Sequence, residues 1–168
     1  IASGDRSALP HAVPSDMKVE KNRPLTVDMG LILEGYCSDM TRTFVPGKAD
    51  DRYLELHRLV RRAQLAGIQA IGAGVRASDV DKAARSIIVA AGYGEFFGHA
   101  LGHGVGLAVH EDPRLSSQNR KQLKAGMVVT VEPGIYIPGW GGIRLENMVV
   151  VREEGCENLN SDTTWLDI

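Results

Sequence analysis

The chain has 168 residues, enough for one domain with a real core, and its 43% hydrophobic and 24% charged content is ordinary for a globular protein. A net charge of -2 gives no electrostatic case for nucleic acid or an anionic membrane, and no run reaches the roughly 18 apolar residues that a membrane helix needs. The two cysteines, Cys37 and Cys156, make neither a disulfide framework nor a zinc-ribbon spacing, so a reducing cytoplasm is the expected compartment.

Residues 1–24 read as loop, with prolines at 10, 14 and 24. "LTVDMGLILEGYCSDMTRTFV" predicts two strands around a turn at Glu34–Gly35. "DDRYLELHRLVRRAQLAGIQAI" predicts a helix capped by Asp50, with Leu56, Val60, Ala63, Gly67 and Ala70 on one face. "SDVDKAARSIIVAAG" predicts a second helix, capped by Ser78 and stopped by Gly92, whose apolar stripe is Val80, Ala84, Ile87 and Ala91. A glycine-rich run follows, "FFGHALGHGVGLAVHED", with three of the five histidines. Then "MVVTVEPGIYI" and "GIRLENMVVVRE" predict two strands joined by the turn-rich "PGWGG". Strands, then helices, then strands point to an α+β domain with an antiparallel sheet.

Acidic residues stand where strands should be apolar. Asp28 interrupts "LTVDMG", although aspartate is depleted in strands. A two-residue turn at Glu34–Gly35 pairs position 28 with 41 and position 30 with 39, so Asp28 and Asp39 point the same way from adjacent strands. Two close carboxylates repel unless a proton or a cation lies between them. Glu132 in "VVTVEPG" and Glu146 in "IRLENMVVV" repeat the pattern on the second strand pair. A single strand aspartate is more often an edge or bulge residue than a ligand. Four carboxylates in two matched hairpins, beside a histidine cluster, suggest a cation site. His103 lies between Gly102 and Gly104, whose lack of side-chain bulk is expected to leave room for a metal. Carboxylates with one imidazole suit Mn(II), Co(II), Fe(II) or Zn(II) and are unlike the thiolate set of a structural zinc. Bridging carboxylates are the usual means of holding two ions roughly 3.5–4 Å apart for hydrolysis.

"TVDMG", "SDMTRT", "GHGVGLAVHE", "TVEPGIY" and "IRLEN" resemble, in order and approximate spacing, the metal-site motifs of the pita-bread metallopeptidases, which include methionine aminopeptidase, aminopeptidase P and prolidase. The resemblance covers nearly the whole chain, from "SALPHAVPSD" onward. It implies a curved antiparallel sheet with helices on its outer face and two divalent metal ions, manganese first, with cobalt, zinc or iron as alternatives. Asp28 would chelate one ion, Asp39 and Glu146 would bridge both, and His103 and Glu132 would complete the other. A metal-bound hydroxide would be the nucleophile. His110 matches the histidine that hydrogen-bonds the scissile carbonyl and its tetrahedral intermediate, and Glu132 would carry the water's proton to the leaving nitrogen. His11 matches a histidine lining the site near the substrate's first residue; on the residues alone, a histidine in a proline-rich loop reads as merely exposed.

His99 and Arg144 match positions typical of the proline-handling branch. The resemblance therefore implies a metallo-exopeptidase that hydrolyses the N-terminal Xaa-Pro bond, with a peptide carrying proline second as its partner. Whether dipeptides or longer peptides are cleaved is left open. The alternatives are methionine-aminopeptidase-like removal of the first residue, metal-free C–N hydrolysis of the creatinase type, and a homologue that has become a binding module. A homodimer is expected by the same resemblance. The chain opens on Ile1 rather than Met, so residues 1–168 are expected to be a catalytic domain that lacks its N-terminal helices, with one half of the sheet bare and apolar on its outer face.

Overall fold

The computed structural model describes all residues, 1–168. In chain order the elements are β1 (Ala2–Ser3), β2 (Leu25–Met29), β3 (Ile32–Leu33), β4 (Tyr36–Cys37), β5 (Met40–Phe44), helices α1 (Asp51–Gln69) and α2 (Ala77–Ala90), then β6 (Gly102–Gly104), β7 (Glu111–Leu115), β8 (Val128–Val131), β9 (Gly134–Ile137), β10 (Gly141–Arg144), β11 (Asn147–Val151) and β12 (Cys156–Asn158). The opening residues are not all loop: β1 pairs with β2, and a short 3-10 helix covers Gly4–Ala8. Every strand pairing is antiparallel. One sheet runs β1-β2-β5 and another β12-β11-β8-β6-β7, with the β9–β10 and β3–β4 hairpins beside them. The α+β architecture with an antiparallel sheet is therefore as expected.

The helices pack on the sheet through the faces their periodicity marks. Asp50 caps α1, its carboxylate accepting the Tyr53 N–H at 2.7 Å. Leu56, Val60, Ala63 and Gly67 are buried. The start of α2 differs from expectation. Arg76 is the cap, with no side-chain cap bond, and Ser78 lies inside the first turn. The reason is tertiary: the amides of Ala77 and Ser78 donate to the carbonyls of Lys121 and Asn119 at 2.9 and 2.8 Å, so these first-turn donors need no hydroxyl. The buried stripe shifts accordingly to Ala77, Val80, Asp81, Ala84 and Ile88, and Ala91 is exposed. Both stripes close over one core with Leu101 and, from the strands, Val129, Val131, Ile143 and Val149. No helix is long and apolar enough to cross a membrane.

Part of the outer side of β5 is covered by the end of the chain. Trp165 stacks on Phe44 with ring centroids 4.1 Å apart, Leu166 is buried, and Arg61 pairs with Asp167 at 2.8 Å. Exposed apolar side chains gather instead on the β3–β4 hairpin and its approach: Met29, Leu31, Ile32, Leu33 and Tyr36.

His57 on α1 is wholly buried beneath this segment. Its Nε2 donates to the Trp165 carbonyl at 2.9 Å and its Nδ1 has no partner. Burial, opposed by that carbonyl bond, pulls its pKa from 6.5 to about 4. The unfolded chain takes up a proton near the ordinary histidine value, whereas the fold refuses it until lower pH. This stabilisation is therefore complete above the ordinary value and is lost as pH falls from there towards about 4. The full shift corresponds to about 3 kcal/mol at roughly 1.4 kcal/mol per unit. Comparing urea midpoints at neutral and mildly acid pH, His57→Gln should lose less stability on acidification than the parent chain; parallel losses would refute the assignment.

Candidate metal centre

Two hairpins carry the acidic residues, and their registers set which carboxylates meet. In the first, Asp28 pairs with Thr41 and Met29 with Met40, and the same register continues through Ile32 with Cys37. The turn is Glu34–Gly35, both at positive φ (51° and 88°), the backbone of a two-residue hairpin whose twist matches its strands. Asp28, Thr41 and Asp39 thus share a face, as the sequence implies. Cys37 does not join them at the cavity: its thiol approaches the Leu107 carbonyl at 3.8 Å.

The second hairpin is broken where single strands were expected. Asn147 pairs with Val131 and Arg144 with Gly134, and between these pairs the ladder is interrupted. Carrying the register across the gap sets Glu132 opposite Glu146. Pro133 has no N–H to give to a ladder, and the flanking amides turn elsewhere. Glu132 N–H donates to the Leu101 carbonyl at 2.8 Å and Glu146 N–H to the Thr41 carbonyl at 3.0 Å. The last bond joins the two hairpins at their acidic residues.

His103 on β6 faces this junction. Its Nε2 lies 3.2 Å from Glu132 Oε1 and 3.8 Å from Asp39 Oδ2. Its Nδ1 lies 3.0 Å from the Gly104 carbonyl, which only accepts, so Nδ1 carries a proton and Nε2 is the nitrogen that faces the carboxylates. The flanking glycines have a different cause from the one expected. A Cβ on Gly102 would stand 2.0 Å from the Thr130 carbonyl oxygen, and one on Gly104 would stand 2.4 Å from that of Asp112. They admit neighbouring backbone, not a metal.

The other histidines flank the junction. His110 is exposed, with its ring centroid 4.3 Å from that of His103. His99 Nδ1 donates to the Ala100 carbonyl at 2.7 Å and its Nε2 lies 2.9 Å from the Tyr136 hydroxyl. His11 is exposed on the loop after the 3-10 helix, at the rim of the same cavity. This cavity is about 710 Å³ and is lined by every candidate residue: Asp28, Asp39, His103, Glu132, Glu146, His11, His99, His110 and Arg144.

Donor atoms lie within 4.8 Å of one another in three sets: Asp28, Asp39 and Glu146; His103, Glu132 and Glu146; and Asp39, His103 and His110. Asp39, His103 and Glu146 each belong to two sets. The charge balance of the cluster fits a cation. Burial, then the neighbouring Glu132 and Asp39, raise Glu146 well above the usual carboxylate range. Burial, then Asp28, push Asp39 up to about 6. Burial acts the same way on Glu132, but the His103 hydrogen bond and the charges of His99, His103 and Arg144 outweigh it and hold its pKa low. Burial also works against a charged His103, yet the Glu132 bond and the Gly104 carbonyl raise its pKa. Divalent cations held by oxygen and imidazole donors would remove the repulsion that protons otherwise have to relieve.

Several supporting residues are not evident from the motifs. Thr41 donates to Glu146 Oε2 at 2.6 Å, and Thr130 donates to Glu132 Oε1 at 3.0 Å while accepting the His103 N–H at 3.0 Å. Each threonine lies two residues from an acid just beyond the end of its strand, so alternation alone marks the face. Arg144 is buried and commits its donors to protein: Asp28 Oδ2 at 2.5 Å, the Tyr136 hydroxyl at 3.1 Å, Thr41 Oγ1 at 3.2 Å and the Pro10 carbonyl at 3.2 Å. Burial and the Arg144 guanidinium act oppositely on Tyr136, and burial prevails, raising its pKa to about 12. Its hydroxyl therefore stays protonated between Arg144 and His99.

Known proteins resemble the chain over nearly its whole length. Over 159 residues, 95% of its length, the chain is 46% identical to the Xaa-Pro dipeptidase of Pyrococcus furiosus, of which it covers 46%. The solved X-Pro aminopeptidase of Thermotoga maritima superposes with a TM-score of 0.94 at 47% identity, covering 96% of this chain and 46% of that one. A variant of Escherichia coli aminopeptidase P follows at 0.86 and 26% identity, covering 95% and 43%. The chain thus spans a little under half the length of these relatives and shares their pita-bread fold. The model of metallopeptidase family M24, whose members use divalent metal ions, matches residues 1–153, a stretch that contains both acidic hairpins and His103, and to that family the chain belongs.

Proposed function

We propose that residues 1–168 form a metallopeptidase catalytic domain that hydrolyses the N-terminal Xaa-Pro bond of dipeptides or longer peptides. The observation that carries this reading is the convergence of four carboxylates and one imidazole in a single cavity, with Asp39, His103 and Glu146 each common to two donor sets. Asp28, Asp39, His103, Glu132 and Glu146 would hold two divalent ions, with manganese the first choice for a donor set of this hardness. When bound, such ions supply Lewis acidity and a water acidified to near neutrality.

The chain's own groups do the remaining work. His110, free at the cavity mouth, donates to the carbonyl oxygen of the scissile bond as negative charge grows there. Glu132, held low in pKa by His103, accepts the water's proton and delivers it to the leaving nitrogen. The proline nitrogen has no N–H in the peptide, so this proton is the one that the product's secondary amine needs. His99 and Arg144, joined through the Tyr136 hydroxyl, form the wall proposed to receive the proline ring. His11 borders the position of the first residue. Two free thiols fit a reducing cytoplasm, and a homodimer is the proposed assembly.

The test compares Xaa-Pro dipeptides, Xaa-Pro tripeptides, the same peptides with alanine second, and Met-Ala-Ser. Proline in second place should raise kcat/KM by orders of magnitude, and the dipeptide-to-tripeptide ratio separates the two forms of the activity. Equal rates with alanine, or preference for N-terminal methionine, would transfer the protein to the methionine aminopeptidase side of the family. Proline in second place is supported by the relatives, an Xaa-Pro dipeptidase and an X-Pro aminopeptidase.

A further inference from the structure

Residues 97–101 bring His99, and then His103, to the cavity, yet they belong to no strand. An ion pair on α2 satisfies their backbone. Arg85 Nη1 donates to the Phe97 carbonyl at 2.8 Å and Nη2 to the His99 carbonyl at 2.7 Å. The same guanidinium grips both oxygens of Asp81 at 2.8 Å and lies 4.0 Å from the Phe97 ring centroid. Asp81 Oδ1 accepts the Leu101 N–H at 3.1 Å. One backbone group on each of the alternate residues 97, 99 and 101 is thus met by a single pair of side chains. Leu101 then extends the constraint, because its carbonyl accepts the Glu132 N–H at 2.8 Å.

Asp81 is wholly buried, on a helix face that is otherwise Ala77, Val80, Ala84 and Ile88. Burying an ion pair has a desolvation cost that its attraction barely offsets, so the pair's distinctive contribution is its hold on the backbone. Apolar side chains cannot fix backbone groups on three alternate residues. We infer that Asp81 and Arg85 are positioning residues for the metal centre: they set residues 97–103 against β8, so that His99, His103 and Glu132 meet in the cavity. The inference rests on the metal-centre reading above.

Two variants test it. In Asp81→Leu/Arg85→Met, apolar side chains of similar bulk replace the pair, a change that folds commonly tolerate. In Arg85→Lys, one ammonium replaces a planar fork and cannot span both carbonyls and the carboxylate. Cobalt(II) alone is titrated into each full-length protein while its ligand-field spectrum is recorded. Thermal midpoints and exchange of the Leu101 and Glu132 amides are measured without metal. Both variants should bind cobalt about 10–100-fold more weakly, the loss typical when groups that orient ligands are removed. Their spectra should change and the Leu101 amide should exchange faster, while both variants keep a cooperative thermal transition, the double variant at a lower midpoint because Phe97, His99 and Leu101 each lose a backbone partner. Unchanged cobalt affinity and spectrum in a folded variant would overturn the inference. Should the double variant fail to fold, Arg85→Lys alone decides by the same criteria. A parent chain that takes up no cobalt would sink the metal reading, and unaltered Leu101 protection in Arg85→Lys would then sink the positioning role separately.

Discussion

Glu146→Ala is expected to remove metal binding and peptidase activity together while leaving the metal-free fold at least as stable as before. Glu146 is buried, anchored by Thr41, and common to two of the three donor sets. Its loss therefore takes a ligand from each proposed ion at once. Meanwhile burial and the neighbouring carboxylates hold its pKa well above the ordinary range, so as a lone carboxylate it is a source of repulsion, not of stability. Manganese stoichiometry by calorimetry, activity on an Xaa-Pro peptide and the metal-free thermal midpoint read the three consequences. Glu146→Gln keeps the shape and the Thr41 contact and should behave like the alanine variant towards metal. A Glu146→Ala protein that is active and metal-free would end the dinuclear proposal.

His110→Ala should lower kcat by about 10²–10³, the effect of losing one donor to a developing oxyanion, with no change in metal content. The geometry makes this a real choice between roles, because a ring nitrogen of His110 lies within 4.8 Å of donor atoms on both Asp39 and His103. Exposure favours the donor role: a residue at the mouth can meet an incoming carbonyl, whereas the proposed ligands other than Asp28 are buried or half-buried. Single-turnover rates with metal saturation measured on the same samples separate the two. Loss of a metal ion from His110→Ala would make it a ligand and leave the carbonyl without its assigned partner.

The legible part of this site is the part that strand alternation and turn geometry control. Once Glu34–Gly35 is taken as a two-residue turn, the Asp28–Thr41 pairing follows, and with it the shared face of Asp28 and Asp39. Alternation also holds for Thr41 and Thr130, but nothing in their own chemistry distinguishes a threonine that orients a carboxylate from one that fills a strand. The interruption at Glu132 and Pro133 was not legible, because it depends on where Leu101 and Thr41 offer carbonyls, and both are far away in sequence. The same holds at Ser78, a good local cap made unnecessary by the 119–121 segment. The glycines beside His103 were misjudged for a related reason: the space they leave is filled by the backbones of β7 and β8, which no local pattern reveals. Asp81 and Arg85 look on paper like an ordinary helix-surface pair four residues apart; only the fold turns them inward.

The Thr41–Glu146 contact spans 105 residues of chain, and it is where the two acidic hairpins join. Each hairpin can form early from neighbours in sequence, but their docking closes a long loop and must come late. Before it, the chain holds two separate acid pairs with no shared centre. Affinity for a cation is accordingly a property of the finished tertiary structure, and a bound ion would act on the lifetime of that structure, slowing its opening, with little influence on how fast it is reached.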